Sequence, residues 1–290
     1  MRFVELLVAS VLLAGLYATM AFGLGLIYGV LRIVNLNHGG ILMLGAYLGW
    51  IFHTWLGIDP FLSLPAVVAI CYGLGVLIYK GLVRHLPRGP AGGVQSLLLL
   101  FGVWLVLRNA AYLIFTGNDQ TIRTATSTSS FVVLGLPIAV NRLVVFVIAV
   151  LSMIALQAFL TRTWTGKAIR AVAQNADSCA ASGINVERIY GITFGIGSAL
   201  AGLAGCLAGT LFSFSPSFGS VELLKSFVIV VLGGLGSVTG TAAAALVLAL
   251  VEVFAILLLP SYLTAAVGFV LLVLVLVIRP GGLFGQRVLG

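Results

Sequence analysis

The chain has 290 residues, of which 61% are hydrophobic and only 8% charged, against roughly 25% charged in soluble domains. This excludes a water-soluble globular protein and predicts an all-α, polytopic membrane protein with about eight or nine transmembrane helices, some of them broken or re-entrant, in a single domain over residues 1–290. The net charge of +8 would suggest nucleic acid in a soluble protein; here its position along the chain sets orientation, and no nucleic-acid partner is expected.

The first span runs from about Val4 to Val30, long enough to cross roughly 30 Å of hydrocarbon. It continues well past the length of a signal-peptide core, and Ala18-Thr19-Met20 is a poor cleavage site, so no cleaved leader is expected. Further spans read as Ile41–Trp55, Phe61–Tyr79 and Val94–Phe115. A Thr- and Ser-rich polar loop follows, 116–140, then a fifth span over Leu143–Leu160 and a sixth over Gly191–Phe212. Leu223–Leu232 is too short to cross alone, and Thr241–Leu259 and Leu263–Ile278 close the apolar pattern.

Basic residues orient these spans. Arg32, the Lys80–Arg88 loop, Arg162, Lys167, Arg170, Arg188, Arg279 and Arg287 fall on one side, read as cytoplasmic; Arg2, Arg123 and Arg142 fall on the other. The N-terminus is external if 223–240 crosses, and one chain end changes side if it is re-entrant.

Two breaks interrupt the apolar runs. The first places Asn35, Asn37, His38, Gly39 and Gly40 beside membrane helices, where such groups are expensive unless they face protein or water. The second is the run of glycines at Gly233, Gly234 and Gly236. Broken helices commonly line transport paths, so Asn35, Asn37, His38, Gly39, Gly233, Gly234 and Gly236 are the candidate translocation residues. VLGGLGSVTGTAAAALVLAL also echoes VLRIVNLNHGGILMLGAYLG, which suggests an internal repeat. In the sixth span Gly195, Ser198, Ala199, Gly202, Gly205 and Gly209 predict close helix packing.

The polar stretch 161–190 reads as folded, a cytoplasmic elbow between two spans. Lys167–Gln174 has helical spacing; Asn175 can cap a short helix over Ala176–Ser182 with Asp177 in its first turn; Gly183 suits a left-handed stop; and Asn185 can cap the next helix. Ala180, Ala181 and Gly183 offer a close-packing surface. Among charges within spans, Glu222 and Lys225 lie three apart near the outer surface and can pair, while Arg108 and Glu252 reach similar depths and are expected to pair with each other.

Cys71, Cys179 and Cys206 lack metal-ligand spacing, so no disulfide or zinc framework is implied. No Ser-His-Asp set, HExxH or paired-carboxylate cleft occurs, nor a Walker or dinucleotide-binding motif. The chain is therefore expected to be no enzyme and to bind no cofactor itself.

The blocks RAVAQNADSCAASGINVERIYGITFGIGSALAGLAG and GLIYGVLRIVNLNHGGILMLGAYLG resemble the LivH-type permeases of branched-chain amino acid ABC importers. The resemblance implies a multi-pass subunit of the bacterial inner membrane, set in lipid, that pairs with a second, homologous permease subunit. It also implies two cytoplasmic ATP-binding subunits carrying ATP-Mg and a periplasmic solute-binding protein. The elbow would hold the coupling helix, with Arg170, Gln174, Asn175, Asp177, Ala180, Ala181 and Gly183 as candidate contacts to the ATPase. A urea or short-amide importer of the same family, or a stand-alone secondary transporter or channel, are the alternatives.

Overall fold

The computed structural model describes residues 2–87, 90–124, 127, 129–133, 136–234 and 237–279. Eleven α-helices dominate: α1 (Arg2–Leu31), α2 (His38–Leu56), α3 (Pro60–Gly81), α4 (Pro90–Phe115), α5 (Val140–Arg162), α6 (Trp164–Gln174), α7 (Ala176–Ala181), α8 (Val186–Gly209), α9 (Phe218–Gly233), α10 (Val238–Ala255) and α11 (Ser261–Ile278). Six of them are long and apolar enough to cross a membrane, and α10 and α11 contain shorter apolar stretches. The polar loop before α5 is more ordered than its composition suggests: β1 (Ser130–Val133) and β2 (Leu136–Ala139) pair as an antiparallel hairpin.

α8 is the central helix. It packs on α1, α2 and α3, and its small residues are the reason. A Cβ on Gly205 would strike the Leu42 carbonyl of α2, one on Gly202 the Cys71 side chain of α3, and one on Gly197 the Gly23 carbonyl and Ile27 of α1. The close-packing face expected for this span is thus used on three sides, and Phe194, Ala201, Ala204 and Leu207 are fully buried within it.

The main departure from simple crossing helices lies at the first break. After α1 ends at Leu31, the chain turns back on itself through Arg32, which takes a left-handed φ of 56°. The residues up to Asn37 then climb back alongside α1. α2 starts where the His38 Nε2–H donates to the Met20 carbonyl at 2.8 Å. Met20 lies eleven residues before the end of α1, or about 16 Å at 1.5 Å per residue. α2 therefore starts partway along α1, a half-helix in the sense that it does not run the full length of its neighbour.

α9 mirrors it. From the end of α8 at Gly209 the chain re-enters through 210–217, and α9 starts against the start of α2. Gly39 and Gly219 face one another so closely that a Cβ on either would collide with the other's carbonyl. The re-entrant backbone is satisfied from the loop before α5 and from α5 itself: Gln120 and Phe214 exchange N–H···O bonds at 2.8 and 2.9 Å, and the Asn141 Nδ2 of α5 donates to the Thr210 carbonyl at 2.7 Å. Inside hydrocarbon such pairing is obligatory.

Arg32, Arg84 and the elbow meet at one end of the bundle; α1 and α9 run toward that end, and α2 and α8 run away from it. The structural counterpart of the first break is thus 210–217, of inverted sense, and not the glycine run at 233–240 that echoes it in sequence. There the end of α9 and the start of α10 come together, and a Cβ on Gly233 would lie 2.6 Å from the Gly240 backbone.

The head-to-head junction tolerates no side chain. Gly219→Ala should lower the stability of the purified chain by about 1–3 kcal/mol, the usual cost of overpacking. Gly73→Ala, where an added Cβ meets nothing within 4 Å, should leave it unchanged. Thermal unfolding in mild detergent measures both, and equal midpoints would refute the tight junction.

Candidate functional site

The elbow forms as its capping residues dictate. The Thr163 hydroxyl accepts from the Gly166 N–H and opens α6 three residues earlier than the helical spacing alone suggests. Asn175 Oδ1 accepts from Ser178 N–H at 2.9 Å, Gly183 takes φ 83°, and Asn185 Oδ1 accepts from Arg188 N–H at 3.0 Å. α6 is held by its apolar face, Ile169 and Val172 being buried, and by Gly166, which sits directly on the end of α5.

Arg170, Gln174, Asn175, Asp177, Ala180, Ala181 and Gly183 are all exposed. Gln174, Asn175 and Asp177 border a cavity of about 630 Å³ shared with Arg32, Arg84 and Tyr190. Arg170 borders a second, of about 300 Å³, with Gln157, Thr161, Ser237 and Thr239. The elbow is also tied to the membrane helices, since the Tyr79 hydroxyl of α3 donates to Glu187 in the first turn of α8 at 2.8 Å.

The first-break residues meet at the half-helix junction. Asn35, Asn37 and His38 are no more than 1% exposed, and neither side-chain atom of Asn35 or Asn37 has a hydrogen-bond partner. Asn37 N-caps α2 in position only, without a side-chain bond. Gly233 and Gly234 lie away from this junction, at the α9–α10 turn, and Gly236 lies outside the described residues.

Arg108 and Glu252 do not come together. Glu252 of α10 accepts a short bond from the Tyr17 hydroxyl of α1 and lies 3.7 Å from the Lys225 ammonium. Lys225 Nζ also donates to Tyr17 Oη at 2.9 Å and sits 3.5 Å from Glu222. One ammonium and one phenol thus bridge two carboxylates and join α1, α9 and α10. The expected pair does not form because α4 packs on α2, whereas α10 packs on α1, α9 and α11. The Glu222–Lys225 pair does form, though in the interior of the fold, because α9 begins there. Tyr17 carried no sequence signal, being one more aromatic in an apolar run.

No cluster of three or more metal-ligating side chains occurs among the described residues. A polytopic helical bundle with two opposed half-helices and a capped elbow has the form of a membrane transporter. The chain matches the family model described as branched-chain amino acid transport system / permease component over residues 6–278 and belongs to that family. It is 29% identical to the high-affinity branched-chain amino acid transport system permease protein BraD of Pseudomonas aeruginosa, over 98% of this chain and 96% of that one. Identity to the corresponding LivH of Escherichia coli K12 is also 29%, with the same coverage of both chains. The permease LivM of Salmonella typhimurium is 27% identical over 77% of this chain and 57% of its own length. Among solved structures, none matches this chain. The family is one of transport permeases, and the multi-pass membrane architecture agrees with it.

Both carboxylates, nearly buried themselves, depend on the half-buried Lys225. Lys225→Met should destabilise the fold by about 3–5 kcal/mol, because it leaves uncompensated buried charge. Adding Glu222→Gln and Glu252→Gln should restore much of the monodisperse protein seen by size-exclusion in detergent. A Lys225→Met single variant that behaves as wild type would show that the cluster has no such role.

Proposed function

We propose that this chain is one permease subunit of an ATP-driven importer for branched-chain or related hydrophobic amino acids in the bacterial inner membrane. It forms half of the translocation path with a second permease subunit. Two ATPase subunits carrying ATP-Mg dock on the elbow, and a periplasmic binding protein delivers the solute. The observation that carries this reading is the elbow itself: two short capped helices, rigidly seated on the ends of α5 and α8, whose polar and small side chains are left uncovered at the basic, cytoplasmic face. The names of the relatives supply the solute class. That one relative is designated LivH and another LivM, both as permease proteins of such a system, supports a heterologous permease pair.

In this reading Ala180 and Ala181 seat the ATPase closely, and the Asn35–Asn37–His38 junction is the closed part of the path. Ala181→Glu should cut ATP-driven leucine uptake by about tenfold, the effect of roughly 1.4 kcal/mol of lost docking, and weaken co-purification of the ATPase. Reconstitution in proteoliposomes with the ATPase and binding protein tests this. Normal uptake together with normal assembly would refute the docking role. Uptake by the wild type that needs no ATP would identify a stand-alone channel or secondary transporter. ATP-driven uptake of urea or a short amide in place of leucine would change the substrate and keep the rest.

A further inference from the structure

α4 rests on α2 and leaves most of its surface uncovered by this chain. Much of that surface suits lipid: Leu98, Val106 and Leu113 are all exposed. One stripe does not. Arg108, Asn109 and Tyr112 lie within about one turn of each other, with Asn109 exposed and Arg108 half-buried. The Arg108 guanidinium lies 5.5 Å from the Trp104 ring centre and 5.6 Å from that of Tyr112. Two aromatic faces thus hold the cation, and no carboxylate pairs with it among the described residues.

The groups beside it are also unsatisfied. Arg108 Nε and Trp104 Nε1 are buried without a hydrogen-bond partner. Trp104 adjoins Asn37, since a Cβ on Gly40 would touch both, and the fully buried Asn37 amide has no partner either. Trp104 is level with the start of α2, so Arg108, four residues on, stands about 6 Å farther outward. An arginine at that depth costs about 2.5–3.5 kcal/mol, and such residues face protein interior or a water-filled cavity. Here the interior of this chain provides no counter-ion.

We propose that this stripe lines the permeation path, and that Arg108 receives the α-carboxylate of the amino acid as it passes. Trp104 Nε1 and the Asn37 amide lie behind it as further donors. The inference rests on the amino-acid import reading above. A guanidinium matches a carboxylate with two parallel N–H···O bonds, and the ring contacts keep its plane fixed. The N-terminal end of α2, one turn deeper, adds partial positive charge of the same effect. Because the guanidinium is only half-buried, the carboxylate can exchange it for water and move on.

The test uses the complete transporter in proteoliposomes, with wild-type, Arg108→Lys and Arg108→Gln permease. Arg108→Gln should lower leucine uptake about tenfold or more, as expected for one lost charge-assisted hydrogen bond. Arg108→Lys should recover part of it, and all subunits should still co-purify. In parallel, Asn109→Cys is labelled from water with a sulfonate-bearing and a quaternary-ammonium thiol reagent; Cys71, Cys179 and Cys206 are buried and add little background. The rate ratio should favour the sulfonate by about five-fold more with Arg108 present than with Arg108→Gln.

Full uptake by Arg108→Gln, or an Asn109→Cys that water-borne reagents cannot reach, would overturn the proposal and place the stripe against lipid. Loss of the second permease from the Arg108→Gln complex would overturn it as well, by making Arg108 an inter-subunit ion pair. If the wild-type complex moves no amino acid, the import reading fails by itself. The reagent preference at position 109 then still decides whether Arg108 serves an anion.

Discussion

The contact between Gly39 and Gly219 is the constraint on which the rest of this structure depends. Two helices that begin inside a membrane expose N–H groups where no bulk water can satisfy them. They are tolerable only if the approaching backbone is covered by protein on every side. Glycine at both positions lets the two helix starts touch. The segments that lead to them must be secured separately. On one side His38 grips the α1 backbone; on the other, Gln120 reaches in from the loop before α5 and Asn141 from the first turn of α5. α8, lined with small residues, closes the remaining space. Gly39, Gly219, Gly205 and Gly197 are thus each placed where backbone meets backbone.

The ionic groups divide into two kinds by the same logic. Lys225 pairs with Glu222 and Glu252, Tyr17 hydrogen-bonds with Lys225 and Glu252, and together they lock α9 to α1 and α10. Removing Lys225 leaves two carboxylates with no cation beside them, so this cluster is part of the scaffold. Arg108 is different in that its neighbours are aromatic rings and unpaired donors. A cation with no carboxylate beside it among the described residues is a group kept for something outside that chain.

α8 also gives these regions a mechanical connection. Its first turn is fixed to the elbow by the Asn185 cap and to α3 by the Tyr79–Glu187 bond. Farther along, the same helix touches Gly23, Leu42 and Cys71 around the half-helix junction. A displacement of the elbow cannot be absorbed by a flexible tether, because its two short helices are capped and seated on α5 and α8. It would be passed along a closely packed helix to the centre of the fold.

Much of this was legible in the sequence because it depends on local chemistry. Hydrophobic run lengths gave the spans within a few residues, and Arg32, Arg84 and the elbow, grouped on one side by their charge, do line one cavity. The elbow was readable in detail, since Asn caps and a left-handed glycine act over three or four residues. Small residues at close spacing announced α8 as a packing helix, and the polar groups from Asn35 to Gly40 marked a break. What escaped was whatever depends on which elements lie side by side. The depth of Arg108 and Glu252 could be counted along their helices, but not that α2 stands beside one and α1 beside the other. The inverted partner of the first break hid in 210–217, because a re-entrant segment is defined by where it folds back to and its composition resembles any outer loop. Local sequence sets capping, span length and orientation, through hydrogen bonds and transfer energies paid within a few residues. Only the tertiary structure could bring Gly39 to Gly219 and Tyr17 to Lys225, because those contacts join residues some two hundred positions apart, and their energy belongs to the packed bundle rather than to any one stretch of it.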